Sequence, residues 1–539
     1  MAERGSAIHR TGSRHPRFFS PTSLLLITPL CILGAIVGMQ VLVRLGVTTN
    51  TSLIGALAAM ALGRVPIGAL ARYRSIHVQN LAQSAISAST FGAANSLLLP
   101  IGIPFLLGRP DLVPTMLIGA VAAMLLDATM LYRMFASDVF PAHGAWPPGV
   151  AAAEAIRAGD EGGRKAVVLG AGLGIGVLGS VFGIPMSGFG VAFIGNVWAL
   201  AVFGTGLLVR GYQHLLLDHP LFANLIPGGD IAQAHIAQGV MLGAGLVALV
   251  QVALTILRQP ATTEGPDEVG PTRRQLGATL GLGFGLYLLI AAGIAGIGGL
   301  ASGMGIGMLI LFVVYAAFAA LLHELIIGLA GMHSGWFPAF AVAVVSLAVG
   351  ILIGFPPPAL ALLVGFTAST GPAFADMGCD LKAGFILRGE GADPEFERDG
   401  RRQQYFAALY ALVVAALTVL VLYHGYFARG QVAPVDRVFV AAIHAGDSPA
   451  VAHALLFWAI PGALLQAIGG SRRQLGVMFA TGLLLVSPLA GWAVLTGVVC
   501  RLGWQRYAGP AGRTDMEVFA AGSIAGDALY SFASSLVKI

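Results

Sequence analysis

Long apolar runs recur along nearly the whole chain, each about 18 to 25 residues in length and separated by short polar intervals. A helix of that length matches the thickness of the hydrocarbon core of a bilayer. The strands of a membrane barrel alternate apolar and polar residues over about ten positions, so these runs exclude a barrel. The pattern predicts an all-α, polytopic membrane helix bundle with about fourteen to sixteen transmembrane helices, some of them broken or re-entrant.

The composition agrees with a protein whose outer surface is largely in contact with lipid. Hydrophobic residues make up 57% of the 539 residues and charged residues 10%, with a mean hydropathy of +0.83. A soluble domain has about 25% charged residues, so this surface is suited to a bilayer and not to water. The net charge of +5 therefore indicates no nucleic-acid partner.

Basic residues lie beside the first two apolar runs. Four precede the first run and three follow the second: Arg4, Arg10, Arg14, Arg17, Arg64, Arg72 and Arg74. The positive-inside rule places these flanks, and with them the N-terminus, in the cytoplasm of a cell whose inner (cytoplasmic) membrane holds the protein. The first run, residues 21–43, is long enough to span and has no convincing cleavage site, so we interpret it as a membrane helix and not as a signal peptide.

The polar intervals divide the chain into two transmembrane halves. We assign residues 1–20 to a cytoplasmic tail, 21–260 to the first half, 261–274 to a central loop and 275–539 to the second half. A further interval, 382–402, mixes acids and bases and is interpreted as a solvent loop.

The two halves resemble each other. Each contains a glycine-rich hairpin, at 183–210 and 476–501, followed by a helix with a GxxxG pair, Gly239 with Gly243 and Gly522 with Gly526. Paired small residues let two membrane helices approach closely. The resemblance predicts an internal repeat with a binding site between the halves, near the middle of the membrane.

Several enzyme motifs occur only in part. The segment Gly174–Gly179 fits the GxGxxG pattern but lies within an apolar helix with no preceding strand, so we interpret it as a packing face. His323 begins a zinc-protease pattern, yet Ile327 stands where the second histidine is needed. Ser187 lacks the first glycine of a nucleophile elbow. We therefore predict no catalytic residues, no enzyme activity and no cofactor.

The three cysteines are scattered along the sequence at Cys31, Cys379 and Cys500. Their odd number and the absence of CxxC spacing support neither a disulfide framework nor a thiolate metal site. No metal ligands are assigned.

One apolar run carries a polar stripe. Asn80, Gln83, Ser84 and Ser87 stand at positions i, i+3, i+4 and i+7 and share one helix face. Such a face avoids lipid and meets another helix, a ligand or a water-filled path. The stripe therefore indicates either polar contacts between helices or the lining of a substrate path.

Acidic residues also occur within or beside the apolar runs: Asp127, Glu324, Asp376, Asp380 and Asp527. A carboxylate at the centre of a bilayer costs about 3 kcal/mol, so such groups usually have a partner or a function. Asp127, Asp376 and Asp380 are candidates for binding a proton or a substrate ammonium group, and we assign proton coupling to these three and to Glu324.

A competing interpretation keeps these acids near the membrane surface. It places Asp127 against Arg133, and it places Asp376, Asp380 and Lys382 at a helix end as an exposed ion pair. The two interpretations of Asp127 are equally supported. For Asp376 and Asp380 the exposed position is favoured.

Four segments, read in order, resemble the oligopeptide transporter (OPT) superfamily. The segment 80–89 is similar to its Asn-x-x-Gln-Thr-x-x-Ser helix, with Ser84 at the threonine position, and 146–159 is similar to its Pro-x-Gly-x-Ala-x-Ala-Glu segment. The segment 328–338 resembles its glycine-rich segment, and 375–384 resembles its Asp-Leu-Lys-x-Gly element. The chain looks like a bacterial or archaeal member related to the yellow-stripe-like transporters.

The resemblance implies proton-driven secondary transport of small oligopeptides or related compounds into the cytoplasm. The Asn-Pro-Gly and Lys-Ile-Pro-Pro-Arg signatures of fungal and plant peptide carriers are missing, so a metal chelate such as a siderophore or a nicotianamine-like compound is the alternative substrate. A passive channel is the alternative from another class, and assembly as a homodimer is left open. The residues assigned to substrate binding are Asn80, Gln83, Ser84, Ser87, Asn196, Ser334 and Trp336.

Overall fold

The computed structural model describes most of the chain. The described residues are 14–45, 60, 68–217, 230–258, 270–335, 337, 339–445, 449–508 and 513–537. Outside them lie the tail before residue 14, most of the apolar run expected near 52–70, the central loop at 261–269 and Trp336.

The first half of the chain forms ten described α-helices. They are α1 (Pro21–Leu45), α2 (Ile76–Phe91), α3 (Leu99–Leu106), α4 (Val113–Met134), α5 (Pro147–Glu161), α6 (Gly163–Val181), α7 (Met186–Ile194), α8 (Val197–Gly211), α9 (Gln213–Leu217) and α10 (Ile236–Arg258). A π-helical segment, Gly92–Leu98, joins α2 to α3. Helix α5 begins with two prolines, Pro147 and Pro148, which suit the first turn of a helix because their missing N–H groups have no helical partner there.

The second half forms eleven described α-helices. They are α11 (Arg273–Ile297), α12 (Ile306–Ser334), α13 (Ala339–Ile353), α14 (Pro357–Ser369), α15 (Pro372–Leu387), α16 (Pro394–Ala428), α17 (Pro434–Ala445), α18 (Pro449–Arg473), α19 (Leu475–Leu484), α20 (Pro488–Ala508) and α21 (Arg513–Val537). No strand occurs among the described residues, so the predicted all-α bundle is confirmed.

The membrane-spanning character is confirmed as well. Nine stretches of the described residues are long and apolar enough to cross a membrane, and four shorter apolar helices accompany them. Two of the long stretches, 76–106 and 357–387, are almost entirely buried inside the protein, whereas the others turn a larger share of their surface outward. The predicted fourteen to sixteen crossings stay a prediction, because several apolar helices here are too short to cross alone.

The predicted solvent loop at 382–402 is wrong. Lys382 is buried within α15, and α16 begins at Pro394, so the connection between these helices covers only residues 388–393. Three of the charged residues that suggested a loop, Arg388, Glu397 and Arg401, form a buried ion-pair network, whereas Glu390, Glu395, Arg398 and Arg402 are exposed.

Glycine pairs join the outer helices in two equivalent places. In one, α6 packs along α21, and a Cβ on Gly526 would lie 2.3 Å from the Leu173 carbonyl oxygen. In the other, α10 packs along α18, and a Cβ on Gly243 would lie 1.8 Å from the Ala459 carbonyl oxygen. Only glycine permits this backbone approach. Both GxxxG helices therefore pack as the sequence predicts.

The two glycine-rich hairpins are also held alike. Asp527 on α21 accepts hydrogen bonds from the Ser180 hydroxyl (2.5 Å) and from the Ser187 amide (2.7 Å) at the start of α7. Gln466 on α18 bonds to Gln251 (2.8 Å), and its oxygen accepts the amide of Gly476 (3.1 Å) at the start of α19. Each joint satisfies the first amides of a short helix, which have no partner in the helix itself. The parallel supports the predicted internal repeat, while the division of the chain at 261–274 stays a prediction.

The GxGxxG segment on α6 provides a direct test of this packing. A Cβ on Gly176 would lie 2.3 Å from the Ser523 carbonyl oxygen of α21, whereas nothing lies within 4 Å of one on Gly174. We expect Gly176→Ala to lower the free energy of unfolding by about 1 to 3 kcal/mol through overpacking. The matched control Gly174→Ala changes it by less than about 0.5 kcal/mol. Thermal unfolding in detergent measures both, and equal melting temperatures would contradict the close crossing.

Candidate functional site

A broken helix lies at the centre of the bundle. Helices α14 and α15 follow each other along the apolar stretch 357–387, with the break at Thr370 and Gly371. Gly371 has a φ angle of +93°, which residues with a side chain rarely adopt. Its amide donates a hydrogen bond of 2.5 Å to Asp127 Oδ2 on α4. Asp127 thereby holds the N-terminus of α15, where a negative charge is favoured by the helix dipole.

Asp127 belongs to a cluster of three buried side chains. The Tyr287 hydroxyl on α11 lies 2.5 Å from Asp127 Oδ1 and also contacts Glu324 Oε2 on α12. All three side chains are fully buried, because α11 packs against both α4 and α12. Among the described residues, no Lys, Arg or His forms an ion pair with either acid. Sequence reasoning named both acids but missed Tyr287, a single tyrosine in an apolar helix.

His323 lies beside this cluster but has other partners. Its Nε2 is 2.8 Å from the Ala339 carbonyl oxygen, which can only accept, so Nε2 carries the hydrogen. Its Nδ1 lies 3.4 Å from the Thr370 hydroxyl at the helix break. No group of three or more His, Cys, Asp or Glu suited to a metal ion occurs in the described part of the chain. His323 therefore acts here as a structural contact between α12, α13 and the break.

A second polar cluster forms where α2 meets α15. Gln83 Nε2 donates to Asp380 Oδ1 at 2.6 Å, and the Ser87 hydroxyl donates to Asp376 Oδ1 at 2.7 Å. Asn80 Nδ2 donates to Gln83 Oε1 at 3.1 Å, which fixes the direction in which that amide points. These side chains are all buried. We call this group, Asn80, Gln83, Ser87, Asp376 and Asp380, the polar layer.

The remaining residue of the stripe is connected to an ion-pair network. Gln404 on α16 donates to the Ser84 hydroxyl at 3.0 Å and to the Asp380 carbonyl oxygen at 2.7 Å. Arg388 donates to Gln404 Oε1 at 2.6 Å and to Glu397 through two bonds of 2.7 and 3.0 Å. Arg388 and Glu397 are fully buried at their side chains. Sequence reasoning missed Gln404, a single amide that follows the interval 382–402 interpreted as a solvent loop.

The predicted surface position of the acids is wrong. Asp127 bonds to Tyr287 and to the Gly371 amide, and not to Arg133. Asp376 and Asp380 are buried and bond to the stripe of α2, and buried Lys382 donates to the Ala142 carbonyl oxygen at 2.9 Å. Positions i and i+4 share a helix face, whereas i+2 lies about 200° around the helix. Lys382 therefore points away from Asp380 instead of pairing with it.

The polar layer is closed in this structure. A narrow gap runs beside Asp376 and Asp380 and is otherwise lined by apolar side chains: Ala88, Ala128, Ala373, Met377, Ala408 and Leu412. The gap is too narrow for a water molecule. Asp380 Oδ2 has no hydrogen-bond partner among the described residues. A ligand that reached these acids would have to separate α2, α15 and α16.

Two of the remaining predicted residues lie in a different joint, and one lies outside the described residues. The side-chain oxygen of Asn196 accepts a hydrogen bond from the Ala199 backbone amide at 3.1 Å and so caps α8. The backbone amide of Asn196 donates to the His333 carbonyl oxygen at 2.9 Å. Ser334 ends α12 immediately after His333, and Trp336 is outside the described residues. The predicted set is thus divided among the polar layer, the Asp127 cluster and this joint.

The segment before α1 packs over the end of the ion-pair network. The Phe18 amide donates to Gln403 Oε1 on α16 at 2.9 Å. The buried His15 ring lies 5.3 Å from the ring of His77 on α2 and 5.2 Å from that of Phe396 on α16. This segment therefore bridges the two helices that also contact Asp380.

The fold and these contacts define a multi-pass membrane protein whose buried acids meet at a helix break. A family model described as OPT oligopeptide transporter protein matches residues 21–255 and 234–538. The chain therefore belongs to the OPT oligopeptide transporter family, whose members are transporters and not enzymes, and the predicted family is confirmed. None of the curated proteins compared with the chain matches it. The bacterial or archaeal branch stays a prediction.

His15 makes the docking of the segment before α1 dependent on pH. Burial, the Arg388 guanidinium and His77 lower the pKa of His15 from 6.5 to about 3. The undocked histidine binds a proton below about pH 6.5 while the docked one does not, so docking weakens as pH falls from 6.5 towards 3. At pH 5.5 the docking equilibrium is weaker by about tenfold.

A fluorophore on the variant Arg17→Cys, made in a Cys500→Ser background because Cys500 is exposed, measures this release. We expect its mobility to rise on acidification. The control His15→Asn has no titrating ring at this position and should show a much flatter response. Identical pH curves for the two proteins would contradict the role of His15.

Proposed function

We propose that this chain is a proton-coupled secondary transporter that imports small oligopeptides or related peptide-like compounds across the cytoplasmic membrane. The observation that carries the proposal is the pair of buried acid clusters, Asp127 with Glu324 and Asp376 with Asp380, placed at and after the same helix break. Buried acids without a cationic partner favour the protonated form, which a proton-driven carrier uses and releases in each cycle.

The polar layer supports a substrate site between the halves. Its carboxylates receive hydrogen bonds from the Gln83 amide and the Ser87 hydroxyl, and a substrate ammonium group offers donors of the same kind with a favourable charge. Opening α2 from α15 exchanges these internal donors for substrate donors. Asn80, Gln83, Ser84 and Ser87 are then the substrate-contacting residues on α2.

The other predicted substrate contacts have a separate role in the proposal. Asn196 and Ser334 lie at the joint between α8 and the end of α12, and Trp336 follows in sequence. Helix N-termini such as that of α8 attract negative charge. We assign this joint to the substrate carboxylate, and the role of Trp336 in substrate binding stays a prediction.

Uptake into liposomes tests the proposal directly. Purified protein is given labelled di- to hexapeptides with and without an inward proton gradient. A gradient of about one pH unit supplies about 1.4 kcal/mol per proton, which sustains about tenfold accumulation per coupled proton. We expect saturable uptake that is lost when an ionophore removes the gradient.

The alternatives predict other results in the same liposomes. Uptake of iron or nickel chelates without peptide uptake would assign the protein to chelates. Conductance without saturation or proton dependence would indicate a channel. Sizing of the protein in lipid nanodiscs would show whether it forms a homodimer, and labelling of residue 17 from either side of oriented cells would test the cytoplasmic N-terminus.

Substitutions in the stripe test its assigned role. Gln83→Leu removes the donor to Asp380, and Asn80→Leu removes the donor that orients the Gln83 amide. We expect each to cost about 1 to 3 kcal/mol, or about tenfold to hundredfold in transport rate. The matched control is Ser89→Ala, because Ser89 lies on the same helix but donates to the Cys31 carbonyl oxygen of α1. Normal uptake by both stripe variants at normal expression would refute a substrate path along α2.

A further inference from the structure

The cluster of Asp127, Tyr287 and Glu324 has too few hydrogens for its contacts unless one of the two carboxyl groups is protonated. A phenol has one hydrogen, yet the Tyr287 oxygen lies within hydrogen-bond distance of two carboxyl groups, Asp127 and Glu324. Its hydrogen can serve only one of these contacts. In a fully buried site the other contact would set two oxygens against each other, unless the second carboxyl supplies the hydrogen. The geometry therefore holds one carboxyl proton in the cluster.

The surroundings of the two acids differ, and the difference locates that proton. Asp127 accepts the Tyr287 hydroxyl and the Gly371 amide, and it lies at the N-terminus of α15, where negative charge is favoured. Glu324 contacts Tyr287 through Oε2, and its Oε1 has no hydrogen-bond partner among the described residues. In this structure the proton therefore belongs on Glu324 and the charge on Asp127.

We propose that Tyr287 is a proton relay between Glu324 and Asp127, and that the position of the proton determines how firmly α15 is held. In the relay step, the Glu324 carboxyl gives its proton to the Tyr287 oxygen while the Tyr287 hydroxyl gives its own to Asp127. The products are neutral Asp127, ionised Glu324 and an intact phenol whose hydrogen now comes from the glutamic acid and is donated back to Glu324. One proton has moved, and no other group changes its charge.

The relay step affects the polar layer because Asp127 holds the helix break from which α15 starts. A charged acceptor forms a hydrogen bond about twice as strong as a neutral one, so protonation of Asp127 weakens its bond to the Gly371 amide. Gly371 directly precedes α15, which carries Asp376 and Asp380 into the polar layer. Release of this end lets α15 move away from α2. The inference rests on the proposed function, because it supplies the step that connects proton binding to substrate access.

The groups around the relay leave it isolated. His323 is the other titratable residue beside it on α12, and its Nε2 is bonded to the Ala339 carbonyl oxygen. Within the described ranges no ion pair involves Asp127 or Glu324. Asp127 and Glu324 are also connected by a direct side-chain hydrogen bond. Removal of the Tyr287 hydroxyl leaves that direct contact and removes only the path through the phenol.

Tyr287→Phe tests the relay, with Tyr315→Phe as the matched control. Tyr315 is also a tyrosine of the bundle interior, but its hydroxyl donates to the Ser346 carbonyl oxygen at 3.0 Å, away from the acids. We expect gradient-driven uptake by Tyr287→Phe to fall about a hundredfold, as loss of a proton-transfer group does. Exchange of substrate across the membrane without a gradient should stay near the wild-type rate. Tyr315→Phe should keep both activities.

An infrared measurement separates this inference from the proposed function. The stretching band of a protonated carboxyl group is recorded for the protein in lipid, without substrate. We expect Glu324→Gln to remove part of that band and Tyr287→Phe to shift the same part, while Tyr315→Phe leaves it unchanged. A band that Glu324→Gln leaves intact, or equal spectra for the two tyrosine variants, overturns the relay even if the protein transports peptides. Absence of peptide uptake with the expected spectra overturns the proposed function alone.

Discussion

The bond between the Gly371 amide and Asp127 is the contact on which the centre of the bundle depends. It satisfies the buried amide of Gly371, the residue that precedes α15, and places a carboxylate at the positive end of that helix. Because α15 packs against α2, α4, α5, α12 and α16, its position determines the spacing of the whole interior. Helix α15 therefore connects the Asp127 cluster, which holds its N-terminus, to the acids of the polar layer, which it carries.

The outer scaffold is symmetric where the interior is not. The pairs α6 with α21 and α10 with α18 cross through glycines in the same way, and the short helices α7 and α19 are each held at their first amides. The two joints nevertheless use different groups, the carboxylate of Asp527 at the start of α7 and the side-chain amide of Gln466 at the start of α19. Similar backbone arrangements can thus be held by different chemistry.

The closed polar layer explains why buried acids and a polar stripe coexist without an open path. Gln83 and Ser87 each donate to an acid of α15, so these groups avoid the full cost of an unpaired polar group in the bilayer. The same pairing restricts access, since a ligand must replace several hydrogen bonds at once. Arg388, Glu397 and Gln404 brace the far side of the layer, so its opening involves α16 as well as α2.

The sequence by itself determined the class of fold, the family, the glycine crossings and the buried stripe, because periodicity and local spacing encode which face of a helix meets lipid. It did not determine the depth of the acids: Asp376 and Asp380 were expected at the surface, and Lys382 beside them. Their burial depends on α2, which is distant in sequence, and on α16, which follows α15 after the short connection 388–393. Tyr287 and Gln404 carry no local signal at all. Only the tertiary structure could bring them to the acids, since a hydrogen bond between two separate helices leaves no mark on either helix alone.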